Sequence, residues 1–170
     1  VQLLVLHRLG NRGPAYDRRY PDAFRRFTPV CQTSDLRLCS REQIVNAYDN
    51  ALLYTDHVLA QAIAWLRQTS HTHDTALIYL SDHGESLGEN GLYLHGVPQA
   101  IAPAVQTQVP MLVWLSSGLV QHQGIDLACL RQRAGQAASH DHLFHSVLGL
   151  MGVGTSLYER PLDVFAGCRR

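Results

Sequence analysis

Three short apolar segments, one long stretch of helical periodicity and a second, shorter helical pattern near the end predict an α/β fold whose sheet is at least partly parallel. The segments are Val1–Leu6 (VQLLVL), Thr75–Leu80 (TALIYL) and Val109–Leu115 (VPMLVWL). They are almost continuously apolar, as strands covered on both faces are, and do not alternate like strands with one wet face. In such sheets ligands collect beyond the carboxyl ends of the strands, so two turns matter most: the one after Leu6 and the one after Leu80.

Val1–Leu6 runs straight into a polar, glycine-bearing turn, His7-Arg8-Leu9-Gly10-Asn11-Arg12-Gly13-Pro14. A strand with no lead-in predicts a domain truncated at its N-terminal side. Tyr16 to Cys39 has no period, and Tyr20-Pro21 and Thr28-Pro29 break any helix, so this is a long irregular connection. Connections of that length are seldom kept in compact domains without a function or a covalent staple. Ser40 and Gln43 form a capping box, and Ile44, Val45, Tyr48, Leu52, Val58, Leu59, Ala62, Ile63 and Leu66 recur at helical spacing through Arg67. Ser81 to Ala104 reads as a loop with the turn dipeptide Asn90-Gly91. Pro110 puts the start of the third strand near an edge or a strand end, and a last helix from about Asp141 to Met151 is stopped by Gly152 and Gly154.

With 170 residues the chain is long enough for one domain with a real core. The 14 basic residues, all arginine, balance 14 acidic ones, and this argues against a nucleic-acid partner, which would demand a surplus of positive charge. No apolar stretch approaches the roughly 20 residues of a membrane-spanning helix.

The turn after Leu80 reads Ser81-Asp82-His83-Gly84-Glu85-Ser86. Asp82 and His83 offer one carboxylate oxygen and one imidazole nitrogen to a divalent ion, a donor set that suits zinc. An isolated Asp-His pair is usually a solvated turn; here Glu85, Glu89 and His95 follow in the same loop, and His7 ends the neighbouring strand. His142 and His145 share a helical face, but Ser139-His140-Asp141 reads as a cap, and His71 and His73 lie in a polar loop. Arg8 to Arg26 holds six arginines, enough to attract anionic lipid head groups or, offset by Asp17 and Asp22, to form a solvated face.

The run YLSDHGESLGENGLYLHGVPQAIAP (Tyr79 to Pro103), with QVPMLVWLS after it, resembles the catalytic domain of the lipid A phosphoethanolamine transferases, the family that includes the mobile colistin-resistance enzymes. HRLGNRGPAYDRRYP from His7, FRRFTPVC from Phe24 and YDNALLYTD from Tyr48 extend the resemblance over nearly the whole chain. It implies an alkaline-phosphatase/sulfatase-like sheet sandwiched by helices, with residues 1–170 as the C-terminal portion of a single periplasmic catalytic domain. The membrane-spanning domain and the nucleophilic threonine are expected upstream, in a protein of the inner membrane. The implied reaction moves phosphoethanolamine from phosphatidylethanolamine to a lipid A phosphate through a covalent threonine intermediate, with zinc as cofactor. Asp82 and His83 match two zinc ligands, Glu85 an active-site carboxylate, and His7 and His95 histidines that hold phosphate or a second metal. None of the chain's threonines sits in the nucleophile's motif, so the 170 residues alone are expected to be inactive. Arg12 stands where the family commonly has histidine; a guanidinium there would bind a phosphate oxygen pair and not a metal, or would be a solvated turn residue. A sulfatase-like or phosphatase-like hydrolase and a non-catalytic folded fragment are the alternative readings.

Cys31 and Cys39 bracket a short polar loop before the capped helix, an arrangement that suits a disulfide, and the resemblance implies one there. Cys129 and Cys168 are compatible with a second bridge or with two reduced thiols. The absence of C-x-x-C speaks against a cysteine zinc site, and the cysteines together favour an oxidising compartment.

Overall fold

Ser40 and Gln43 cap the long helix reciprocally: the Gln43 N–H donates to Ser40 Oγ (3.2 Å) and the Ser40 N–H to Gln43 Oε1 (2.8 Å). From this cap α1 runs over Arg41–Thr69, two residues past the expected end. The chain is described over all its residues, 1–170, by a computed structural model. Besides α1 it contains β1 (Ala76–Leu80), β2 (Ser86–Leu87), β3 (Tyr93–Leu94), α2 (Ala104–Thr107), β4 (Met111–Leu115), α3 (Ser117–His122), α4 (Leu127–Arg133) and α5 (Asp141–Met151). β1 pairs with β4, and β2 with β3 in an antiparallel hairpin, Ser86 opposite Leu94 and Leu87 opposite Tyr93. Asn90 and Gly91 turn that hairpin with φ of 54° and 74°, the left-handed conformation that Asn and Gly adopt most cheaply.

The residues form two compact units. One comprises residues 4–65 and 78–112. Its core is Tyr16, Cys31, Ile44 and Ala47, with Val30, Leu36, Tyr48, Leu87 and Leu94 packed around them. The irregular connection before α1 is held by side chains of the helix it crosses. Asn50, fully buried, accepts the N–H groups of Arg26 (2.8 Å) and Phe27 (2.9 Å) and donates to the Phe27 carbonyl (2.9 Å) and the Tyr20 hydroxyl (3.3 Å). Asn11 donates to the Tyr48 carbonyl (3.1 Å) and accepts from Thr55 (2.9 Å). A buried amide with all its capacity used fixes a loop as a ladder fixes a strand. The Cys31–Cys39 disulfide closes the same connection.

The other unit comprises residues 1–3, 66–77 and 113–170. Ser116 joins two of its segments: its Oγ accepts the N–H of Thr75 (3.0 Å) and, as the N-cap of α3, that of Leu119 (3.3 Å). Asp126 caps α4 by accepting the N–H groups of Ala128 and Cys129 (2.9 and 3.1 Å), and these bonds, with the Arg170 guanidinium, hold its carboxyl below the ordinary aspartate range. Gly152, with φ of 64°, ends α5 as predicted. The fully buried Asp163 accepts the Tyr158 hydroxyl (2.7 Å) and the Phe165 N–H (2.8 Å), with Arg169 3.6 Å away. It packs against Gly149 of α5, where a Cβ would run into its carboxylate. The Cys129–Cys168 bridge ties the tail to α4.

The α/β class holds, but three expectations change. Val1–Leu6 is not a strand; its side chains are exposed and its backbone meets no neighbouring strand, without which an extended segment is only an extended segment. β1 and β4 are half-buried or partly exposed, not covered on both faces. β4 begins only after Pro110, which has no N–H to give to a ladder. The short helices α2 to α4 escaped the sequence reading because four to seven residues are too few for a period to register.

Both disulfides should contribute stability in proportion to the logarithm of the loop closed. Replacing both cysteines by serine is expected to cost about 2.5 kcal/mol for Cys31/Cys39 and about 4 kcal/mol for Cys129/Cys168 in denaturant unfolding. Equal losses, or none, would refute this ordering.

Candidate functional site

β1 delivers the chain into the turn Ser81–Glu85, and backbone contacts shape it. The Ser81 hydroxyl donates to the His83 carbonyl (2.8 Å), and the Gly84 N–H to the Gln106 carbonyl (2.9 Å). A Cβ at Gly84 would meet the Val105 carbonyl, so only glycine lets the turn lie against α2 this closely. Gln106, buried, also donates its amide to the fully buried Ser86 hydroxyl (2.8 Å).

Beyond this turn three side chains converge: His83, Glu85 and His95 each offer a ligand atom within 4.8 Å of the others. The two imidazoles lie against each other, ring centres 3.8 Å apart and planes tilted by 31°. Glu85 is the best-buried member, its side chain 4% exposed, and three donors meet its carboxylate. Oε1 accepts from His95 Nδ1 (2.9 Å) and the Gly13 N–H (3.3 Å), and Oε2 from the Tyr16 hydroxyl (3.1 Å). Burial first, and then the charge and hydrogen bond of Glu85, push the Tyr16 phenol far above its ordinary range, so Tyr16 is a donor at any physiological pH.

Each histidine has one ring nitrogen facing a group that can only accept. His83 Nδ1 lies 3.0 Å from the Gly84 carbonyl, and His95 Nδ1 lies 2.9 Å from the Glu85 carboxylate. In both rings Nδ1 therefore carries the proton, and in the neutral ring Nε2 keeps its lone pair. His83 Nε2 is buried and has no hydrogen-bond partner, although Asp82 Oδ2 is only 3.6 Å away. That separation is too long for a hydrogen bond and near the roughly 3.3 Å between two ligands of one tetrahedral zinc. The residues present thus fit a divalent metal.

The structure gathers His83, Glu85 and His95, with Asp82 exposed beside His83. His7 and Arg12 are exposed and lie outside this group. Glu89 is engaged elsewhere, accepting the Leu87 N–H (2.6 Å) and pairing with Arg41 (3.4 Å). Burial would raise its carboxyl, but its own N–H, the Leu87 N–H and Arg41 together hold it below the ordinary glutamate range. Sequence reading missed Tyr16, Gly13 and Gln106. The one signal was that a buried tyrosine must find a partner for its hydroxyl, which does not say that the partner lies 69 positions away.

The model of the Sulfatase family matches residues 2–153. Phosphoethanolamine transferase EptA of Salmonella typhimurium is 49% identical over 169 residues, covering 99% of this chain and 31% of that protein. Phosphatidylethanolamine transferase Mcr-1 of Escherichia coli is 54% identical over 112 residues, 66% of this chain and 21% of that protein. Among solved structures, the soluble domain of lipooligosaccharide phosphoethanolamine transferase A from Neisseria meningitidis superposes with a TM-score of 0.92 at 47% identity, covering 97% of this chain and 50% of that one. The same protein described as an integral membrane protein gives the same TM-score and identity, with 31% of its chain covered. The chain therefore spans about a third of the length of these full-length relatives.

Gly84→Ala should be far from neutral, because the obstacle to the new methyl is backbone. A loss of at least about 2 kcal/mol in denaturant unfolding is the expected outcome.

Proposed function

Because the chain belongs to the sulfatase family, we propose that residues 1–170 form the C-terminal portion of the catalytic domain of a metal-dependent phosphoethanolamine transferase. The observation that carries the reading is the convergence of His83, Glu85 and His95 on the Asp82-His83-Gly84-Glu85 turn, in a chain 49% identical to a phosphoethanolamine transferase. In this reading the donor is phosphatidylethanolamine, the acceptor a lipid A phosphate, and the nucleophilic threonine lies outside residues 1–170. Zinc is the proposed metal, and when bound it supplies a Lewis acid for a phosphoryl oxygen.

The chain's own residues then divide the work. Asp82 and His83 would hold the metal, the one through a carboxylate oxygen and the other through the Nε2 that has no hydrogen-bond partner. His95, its Nδ1 tied to Glu85, would present the Nε2 lone pair to the metal, or, as an imidazolium, donate Nε2–H to a phosphate oxygen. Gly84 and Gln106 keep the turn in place. The two disulfides agree with an oxidising compartment, and we place the domain in the periplasm, tethered to the inner membrane by segments outside this chain. No helix within it is long and apolar enough to cross a membrane.

In the full-length protein, His83→Ala should lower transfer of phosphoethanolamine from phosphatidylethanolamine to lipid A at least 100-fold, while residues 1–170 alone form no covalent adduct. Release of free phosphate or sulfate from a simple ester without transfer would instead identify a hydrolase. An adduct on the isolated chain would refute the division of labour proposed here.

A further inference from the structure

Glu85 is the most buried carboxylate of the candidate site, and both of its oxygens are already in use. Oε1 takes the Gly13 N–H and His95 Nδ1, and Oε2 takes the Tyr16 hydroxyl. A carboxylate surrounded by three donors has little lone-pair capacity left to direct at an ion, whereas His83 Nε2 is buried with none of its capacity used. The donors come from rigid neighbours. Tyr16 is 1% exposed and packs edge-on against Tyr48 of α1, ring centres 5.6 Å apart. Gly13 cannot carry a side chain, since a Cβ there would lie 2.6 Å from the Tyr16 hydroxyl oxygen and 2.5 Å from Leu94. Carboxylates that accept from the outer nitrogen of a ligating imidazole fix its tautomer and raise its basicity.

We infer that Glu85 is a clamp and not a metal ligand, and that Tyr16 is a positioning residue which, by holding Glu85, keeps His95 in the Nδ1–H form with Nε2 facing its ligand. The inference rests on the reading of His83 and His95 as site residues. Its core claim, that Tyr16 sets the state of His95 through Glu85, concerns the protein without any metal.

Two measurements on the full chain test it. In the metal-free protein labelled with 15N-histidine, NMR of the ring nitrogens should find His95 in the Nδ1–H form. Tyr16→Phe and Glu85→Ala should both shift His95 toward the other tautomer, while His83, whose Nδ1 faces a backbone carbonyl, keeps its signature in each. Glu85→Gln, whose amide oxygen can still accept from Nδ1, should retain the wild-type tautomer. In zinc titrations of the full-length protein, Tyr16→Phe should weaken binding about tenfold and Glu85→Ala 10- to 100-fold. The double variant should be no worse than Glu85→Ala alone, because Tyr16 acts only through Glu85. Glu85→Gln should lose less than Glu85→Ala.

Unchanged tautomer and affinity in Tyr16→Phe, or losses that simply add in the double variant, would overturn the role of Tyr16. A Glu85→Gln variant as weak as Glu85→Ala would overturn the clamp and make Glu85 a ligand. If the wild type binds no zinc, the functional reading falls, and the NMR comparison alone still supports or overturns the clamp. Should Tyr16→Phe fail to fold, the contrast between Glu85→Ala and Glu85→Gln carries the test.

Discussion

The carboxylate of Glu85 and its three donors organise everything around the candidate site. Withdrawing a carboxylate from water costs several kcal/mol, and each hydrogen bond to a charged group returns about 1.5 to 3 kcal/mol, so three donors are roughly what the position requires. They come from two distant stretches of sequence: Gly13 and Tyr16 from the loop that follows the N-terminal segment, and His95 from just beyond the β2–β3 hairpin. That one group therefore fixes the course of the first loop over α1 and the path of the hairpin, and the histidines follow from both.

The other unit solves the same problem with different parts. Asp163 is also withdrawn from water, and a tyrosine hydroxyl, a backbone N–H and a nearby guanidinium answer it. There the carboxylate serves packing, since it lies against Gly149 of α5 and anchors the segment leading to Cys168. What separates the two is the company each keeps. Glu85 has imidazoles beside it, one with an unused buried nitrogen; Asp163 has none within its hydrogen-bonding circle.

Local signals were legible wherever the cause was local. Ser40 with Gln43, the apolar repeat to Leu66, Gly152 and Asn90-Gly91 act through neighbours within a turn or two, and each does in the structure what its residue type dictates. The short cysteine loop was readable for the same reason. Val1–Leu6 was misread because strand character is a property of pairs, and an apolar string says nothing about whether a partner lies alongside. The site was half legible. Asp82, His83, Glu85 and His95 stand out by type and spacing, but the ties from Tyr16 and Gly13 to Glu85 span about 70 positions, and no periodicity encodes them.

The two imidazoles owe their proton placement to unlike sources, and this makes them unequal under mutation. The proton on His83 is dictated by the carbonyl of the next residue, a group that every amino acid possesses, so no side-chain replacement outside the turn can withdraw it. The proton on His95 is dictated by a side chain that is itself propped by another side chain. Sequence drift can therefore adjust the second ring in small steps, through positions that never touch a ligand, while the first stays fixed. Tuning of the site without dismantling it is more available at Tyr16 than at His83, while Gly13, which has no room for a side chain, and Glu85, on which all three donors meet, stay fixed.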